Sequence, residues 1–203
     1  MTESSNKFNA LCSLANKLVE GGEKVLIWSN FTKNIDLLKL ELAHHNPVVI
    51  DGRVGAGEME EIGSRKYNIH KFKNDETCMV FIANPAAASE GISLHVDDSG
   101  KRLCSNALYL DRNFNSSQYL QSVDRIHRLG SKTAPNIHIF RTLGSIDMRV
   151  QNRLDQKVSE MVKLLNDKSL RPYIDSDLFY PNFEDGEVGQ EEESFYLSYL
   201  NDT

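Results

Sequence analysis

Residues 111–131 read DRNFNSSQYLQSVDRIHRLGS, and this stretch decides how the rest of the chain is interpreted. A strand-like run, NALYL at 106–110, comes directly before it. Ser116 and Ser117 then offer hydroxyl groups that can cap the amino end of a helix. Because glycine commonly follows the last turn of a helix, we expect this helix to end at Gly130.

Two arginines give this predicted helix its chemistry. Arg125 and Arg128 lie three positions apart, so both guanidinium groups would leave the same face of the helix. Neighbouring arginines repel each other unless an anion lies between them, and the fork of donors on each guanidinium matches phosphate oxygens. The pair therefore predicts a phosphate-binding site. The alternative is an amphipathic surface helix whose arginines make ordinary salt bridges.

The stretch resembles helicase motif VI of the Swi/Snf-type members of helicase superfamily two. The shared pattern is D, two residues, an aromatic and N, followed by Q, two residues and D-R-x-H-R-x-G. The resemblance implies that Arg125 and Arg128 are arginine fingers, the catalytic residues that reach the triphosphate of ATP held by a separate lobe. It also implies that Gln121 and Asp124 lie at the lobe interface and orient the fingers.

Residues 24–31, KVLIWSNF, resemble motif IV of the same family. In that motif a buried strand delivers a polar turn to the DNA-facing side of the lobe. The resemblance implies that Ser29 and Asn30 face the phosphates of double-stranded DNA.

Residues 83–95, ANPAAASEGISLH, resemble motif V, with Ala86 where the family usually carries an arginine. The resemblance implies that Asn84 also faces DNA. It further implies that Glu90 and Gly91 belong to the nucleotide and lobe interface, where they couple the nucleotide state to lobe closure.

The apolar pattern predicts an α/β fold. Short β-type runs at 24–28, 48–50, 77–82, 107–110 and 137–140 alternate mostly with helical patterns, including one from about 58 to 72, which favours a mostly parallel sheet with helices on both faces. The family resemblance makes this a RecA-like three-layer sandwich followed by a C-terminal brace helix. We expect a helicase C-terminal lobe at 1–145, the brace helix at 146–169 and an acidic, aromatic-containing tail at 170–203.

Composition narrows the remaining possibilities. The net charge of −6 arises from the tail, which has nine acidic residues and one arginine. The rest of the chain has a net charge of +2, so the charge balance does not exclude DNA binding. Three scattered cysteines predict neither a disulfide framework nor a metal site. The chain carries no apolar run of about 20 residues and no signal-peptide pattern. We therefore expect no membrane partner and a cytoplasmic protein, or a nucleoid or nuclear one in a eukaryote.

The sequence contains no G-x-x-x-x-G-K-[ST] loop and no Asp-Glu motif at a strand end. The family places both in a preceding RecA-like lobe, which would hold most of the ATP and Mg²⁺. We therefore expect the second lobe of a DNA-translocating ATPase, inactive alone. One alternative is a non-catalytic RecA-like scaffold whose tail recruits a partner. The other, a nucleotide-dependent transferase, would need a glycine-rich fingerprint that residues 52–57 do not form.

Overall fold

The computed structural model describes residues 5–88, 92–126 and 135–165, with only the backbone of Val162 and Leu165. Its strands are β1 (Lys24–Trp28), β2 (Val48–Ile50), β3 (Val80–Ala83), β4 (Cys104–Tyr109) and β5 (Asn136–Ile139). Its helices are α1 (Asn6–Glu20), α2 (Thr32–Glu41), α3 (Arg65–Asn74), α4 (Ser116–Val123) and α5 (Ile146–Leu165), with one turn of 3₁₀-helix at Ala43–His45.

The five strands form one sheet in the order β2-β3-β1-β4-β5, and every neighbouring pair is parallel. β1 is the central strand, with Val25 opposite Val80 of β3 on one side and opposite Asn106 of β4 on the other. From β1 the chain passes to the outer strand β2, returns to β3 beside β1, and then crosses to β4 on the other side of β1. The loop after β1 leads to α2 on one face of the sheet and the loop after β4 leads to α4 on the other face, so the carboxyl ends of β1 and β4 flank a switch point of the kind where open α/β sheets bind ligands.

Helices cover both faces of the sheet, because alternate strand residues point to opposite sides. Val25 and Ile27 belong to the core beneath α1 and α2, whereas Leu26 and Trp28 belong to the core beneath α3, α4 and α5. These four side chains of β1 are at most 1% exposed. The arrangement confirms the predicted three-layer α/β sandwich.

Several element boundaries differ from the prediction; β4, for example, begins at Cys104 instead of residue 107, and two other shifts have a clear local cause. α3 begins at Arg65 instead of near residue 58, because the Ser64 hydroxyl caps it by accepting a hydrogen bond from the Tyr67 amide at 3.1 Å. β3 begins at Val80 instead of residue 77. Thr77 remains in a turn because its amide and hydroxyl both donate to Asp75, at 2.8 and 2.7 Å.

The last described helix, α5, packs on the α4 side of the sheet and carries buried Leu154 and Val158. Its first turn is fixed by Asp147, which accepts hydrogen bonds from Lys7 of α1 at 2.8 Å and from the Thr142 amide at 2.8 Å. A helix therefore begins at Ile146, where the brace helix was predicted, and Asp147 ties its first turn to α1 and to the segment before it. The acidic tail lies outside the described residues, and the domain boundaries stay predictions.

Candidate functional site

Polar side chains from three loops meet at the carboxyl edge of the sheet. Ser29 and Asn30 follow β1, Asn84 follows β3, and Asp111 lies two residues beyond the end of β4. Since β1 lies between β3 and β4, these loops are neighbours in space although they are far apart in sequence. The structure thus brings together the three residues predicted to face DNA, and it adds Asp111 to them.

Asp111 is the centre of this group. Its carboxylate accepts hydrogen bonds from the Ser29 hydroxyl at 2.7 Å, from the Asn30 amide and side chain at 2.6 and 3.1 Å, and from the Asn34 side chain at 3.2 Å. Burial raises the pKa of the Asp111 carboxyl, and the hydrogen bonds from Ser29 and Asn30 oppose that rise. The carboxylate clamps the loop after β1 onto the loop after β4.

Asn30 links the third loop to this clamp. Its backbone oxygen accepts a hydrogen bond from the Asn84 side chain at 3.0 Å, and its side-chain oxygen accepts one from Asn113 at 3.0 Å. The side chains of Ser29 and Asn30 are buried, and both donate hydrogen bonds to Asp111. Asn84 is half-buried. Their contact with DNA stays a prediction, and the geometry assigns the two buried side chains a role in holding loops together.

The helix of motif VI is shorter than predicted. Asn115, and neither Ser116 nor Ser117, caps α4, since its side-chain oxygen accepts the Gln118 amide at 3.1 Å. The helix ends at Val123 and does not continue to Gly130, which itself lies outside the described residues.

The end of α4 has a structural cause. The Arg125 carbonyl accepts a hydrogen bond from the Leu94 amide at 2.8 Å, so it is turned toward motif V. The Ile126 amide donates to Val123 at 3.2 Å, a tighter i→i+3 pattern than that of an α-helix. Asp124 is the C-cap residue, and Arg125 therefore lies in a turn just beyond the helix.

Arg125 contacts motif V through its side chain as well. Its Nη1 donates to the Ile92 carbonyl at 3.0 Å, and its side chain is half-buried. Gln121 and Asp124 are exposed on the neighbouring surface of α4. Among the residues predicted to contact nucleotide or the partner lobe, the structure describes Arg125, Gln121 and Asp124. The others, Arg128, Glu90 and Gly91, lie outside the described residues.

Arg112 is a buried cation that the sequence patterns did not single out. It is 8% exposed, and its Nη2 donates to the side-chain oxygen of Gln151 on α5. Its guanidinium carbon lies 5.2 Å from the centre of the Tyr119 ring, within the range of a cation–π contact. Burial lowers the pKa of Arg112.

Two kinds of site are absent from the described residues. In residues 5–88, 92–126 and 135–165, no three or more His, Cys, Asp or Glu side chains are arranged to hold a metal ion. Nor does any helix in these ranges have the length and apolarity needed to cross a membrane. The three cysteines are buried and free, and burial raises the pKa of Cys12 and Cys78 to about 11 and that of Cys104 to about 12.

The fold and the edge loops define a RecA-like lobe that presents the loops of motifs IV, V and VI together. The family model of the helicase conserved C-terminal domain matches residues 6–130, more than half of the chain. The chain therefore belongs to the helicase C-terminal domain family, and the predicted resemblance to Swi/Snf-type ATPases is confirmed.

Named relatives agree with this family. The chain is 29% identical over 155 residues to the chromatin-remodeling ATPase INO80 of Sclerotinia sclerotiorum, covering 75% of this chain and 8% of that protein. It is 28% identical over 176 residues to the ATP-dependent helicase FUN30 of Saccharomyces cerevisiae, covering 85% of this chain and 14% of that protein. The chain thus spans a small part of these relatives.

A solved structure supports the same fold. The crystal structure of the C-terminal part of the Fun30 ATPase domain matches with a TM-score of 0.61 and 29% identity. The match covers 74% of this chain and 46% of that one. The RecA-like α/β fold predicted from the sequence is confirmed.

Proposed function

We propose that this chain is the second motor lobe of a DNA-dependent ATPase that translocates along double-stranded DNA. The observation that carries the proposal is the position of Arg125. In a member of the helicase C-terminal domain family, this guanidinium lies just beyond α4 and bridges motif VI to the backbone of motif V. It is a half-buried, permanently charged group close to the edge where a RecA-like sheet binds its ligands.

The chemistry follows from the contact that Arg125 makes now. Its guanidinium donates to a neutral carbonyl, that of Ile92. That bond has one charged partner, whereas a guanidinium–phosphate bond has two and can be bidentate, so a triphosphate presented by a partner lobe would compete well for this donor. Arg125 and Arg128 would then stabilise charge on the transferring phosphoryl group, while exposed Gln121 and Asp124 meet the partner lobe.

ATP and Mg²⁺ fit this lobe only in part. The arginines supply donors for phosphate oxygens, whereas the described residues offer no group of acidic or histidine ligands for a cation. When bound, Mg²⁺ neutralises phosphate charge. We therefore assign the metal and most of the nucleotide contacts to an N-terminal RecA-like lobe, and we expect this chain alone to be inactive.

DNA contact is assigned to the carboxyl-edge loops. Ser29 and Asn30 lie in the loop after β1 and Asn84 lies in the loop after β3, and hydrogen bonds to Asp111 and Asn30 fasten these two loops to the loop after β4. A rigid edge presents backbone amides and polar side chains at fixed spacing, which suits contact with a regularly spaced phosphate backbone. Glu90 and Gly91 of motif V lie on the chain between Asn84 and Ile92, and we assign them to coupling the nucleotide state to lobe closure.

A non-catalytic RecA-like scaffold remains a second candidate, because nine acidic residues in the tail could recruit a partner. ATP hydrolysis separates the two. The assay compares this chain alone with the same chain joined to its N-terminal lobe, each with and without double-stranded DNA. We expect turnover only from the two-lobe protein, and stimulation by DNA.

Arg125→Ala in the two-lobe protein should lower DNA-stimulated turnover by roughly 10³-fold or more, as for other arginine fingers. Arg153→Ala is the matched control, since Arg153 is an exposed arginine on α5 that bonds only to Gln156 of the same helix in the described contacts. Unchanged turnover in Arg125→Ala would refute the finger assignment. Absence of DNA-stimulated hydrolysis in the two-lobe protein would favour the scaffold.

A further inference from the structure

The segment between β4 and α4, residues 111–115, has two faces. In extended backbone, side chains alternate in direction, and this segment follows that rule. Asp111 and Asn113 bond to Asn30 in the loop after β1. Arg112 and Phe114 point the other way, into the layer of α4 and α5, where both are buried. The segment is thus held between the site edge on one side and the brace helix on the other.

Arg112 makes directional contacts on the brace side. Its guanidinium donates to the Gln151 oxygen and lies over the Tyr119 ring. The Gln151 amide nitrogen in turn donates to Asp155 at 2.7 Å. The side chain of Gln151 therefore bridges the Arg112 guanidinium to a carboxylate one turn further along α5. Lys157 adds a second tie, because its Nζ donates to the Phe114 carbonyl at 2.8 Å.

A buried cation is a poor choice for filling space, because burying its charge is costly. An apolar residue of similar size would pack between Tyr119 and α5 without that cost. What the guanidinium adds is direction, since its planar donors fix where Gln151 lies relative to the segment. The motif VI pattern specifies no residue at position 112.

The segment leads directly to the catalytic arginine. Asn115 caps α4, the rigid helix runs from Ser116 to Val123, and Arg125 follows two residues later. Tyr119, beneath the Arg112 guanidinium, lies in the first half of this helix. A shift of α5 relative to the sheet would therefore be carried through Arg112 to α4 and to the arginine at its far end.

We infer that Arg112 is a positioning residue that sets the place of Arg125 through its contacts with Gln151 of the brace helix and Tyr119 of α4. This inference rests on the proposed function. Misplacing a catalytic group by about 1 Å costs up to roughly 100-fold in rate, so loss of the contact should lower turnover without removing the finger.

The test is a double-mutant cycle in the two-lobe protein, with DNA-stimulated ATP hydrolysis as the readout. Arg112→Met should lower kcat by about tenfold to a hundredfold. If Arg112 acts through Arg125, then Arg112→Met should cause less than about a twofold further loss when Arg125 is already alanine. Arg153→Met, the same substitution at an exposed position of α5, should leave kcat unchanged.

Gln151→Met provides a second route if Arg112→Met does not fold. It keeps the volume and the helix preference of position 151, leaves the guanidinium over Tyr119, and should lower kcat in the same direction. Gln151→Glu combined with Asp155→Asn keeps an acceptor for Arg112 without placing two carboxylates 2.7 Å apart, and should restore kcat relative to Gln151→Met. A merely structural role would lower the thermal midpoint of these variants but leave kcat intact below it.

Two failures are distinguishable. If Arg125→Ala turns over ATP as fast as the parent protein, the proposed function is wrong. If Arg125→Ala is inactive while Arg112→Met and Gln151→Met keep the parent kcat, the fingers stand and the positioning role of Arg112 is wrong. Equal losses from Arg112→Met with and without Arg125 would also overturn that role.

Discussion

Asn30→Asp tests the arrangement around Asp111 more sharply than removal of the side chain would. The Asn30 side-chain nitrogen lies 3.1 Å from the Asp111 carboxylate, and both residues are buried. The substitution places a carboxyl oxygen at that distance from another carboxylate. Two buried carboxylates this close cannot both ionise, so the folded variant must hold one additional proton that bonds one group to the other.

The size of the effect follows from that proton. An unfolded Asp has a pKa of about 3.9, and each pH unit above it costs about 1.36 kcal/mol to keep the group protonated. The variant should therefore lose up to about 4 kcal/mol of unfolding free energy at pH 7 and about 1.5 kcal/mol at pH 5. The sign is that of a carboxyl group with a raised folded pKa: stability falls as pH rises.

Urea unfolding at pH 5, 6 and 7 measures this difference directly. Asn152→Asp is the matched control, because Asn152 is exposed on α5 and the same change there should stay within about 0.5 kcal/mol. If Asn30→Asp behaves like the control, or if its loss is the same at pH 5 and pH 7, then Asn30 does not face Asp111 as described.

Two further predictions concern stability. Gly57→Ala should lower the unfolding free energy in urea by about 1–3 kcal/mol, because Gly57 has φ +47° and an added Cβ would lie 2.4 Å from the Ser64 Cβ. Gly55→Ala is the control and should be nearly neutral, because nothing lies within 4 Å of a Cβ added there. Equal effects of the two substitutions would contradict this prediction. Burial and the neighbouring His44 lower the pKa of His45, so the unfolded chain binds more protons below about pH 6.5 and stability should fall by a few tenths of a kcal/mol on acidification. His45→Gln should flatten that part of the pH profile, and an unchanged profile would argue against it.

The sequence predicted where the strands lie along the chain, because buried parallel strands are short apolar runs whose pattern depends only on local residues. It did not predict where α4 ends. That boundary depends on the Arg125 carbonyl meeting the Leu94 amide, a contact between segments about thirty residues apart. Ser64, in contrast, is an ordinary N-cap residue directly before a helix, and weighing it against residue 58 would have placed the start of α3 correctly.

The sequence singled out candidate residues of the site but did not predict the hydrogen bonds that connect its loops. Arg125 was singled out because two arginines three positions apart suit a phosphate, and its catalytic role stays a prediction. The role of Asp111 depends on β4 lying beside β1, which the residues of neither strand reveal. Arg112 was missed because a lone arginine in a loop is usually exposed, and only the position of α5 makes it buried.

The central position of β1 also limits how early the lobe can fold during synthesis on the ribosome. Ser29, at the end of β1, meets Asp111 only after 82 further residues have been added. At roughly 5–20 residues per second, the ribosome needs about 4–16 s to supply that partner. During this interval the apolar run KVLIW lacks β4, and for most of it lacks β3 as well, and contacts of such long range form slowly. Self-association and chaperones therefore compete for β1 before the lobe can close around it.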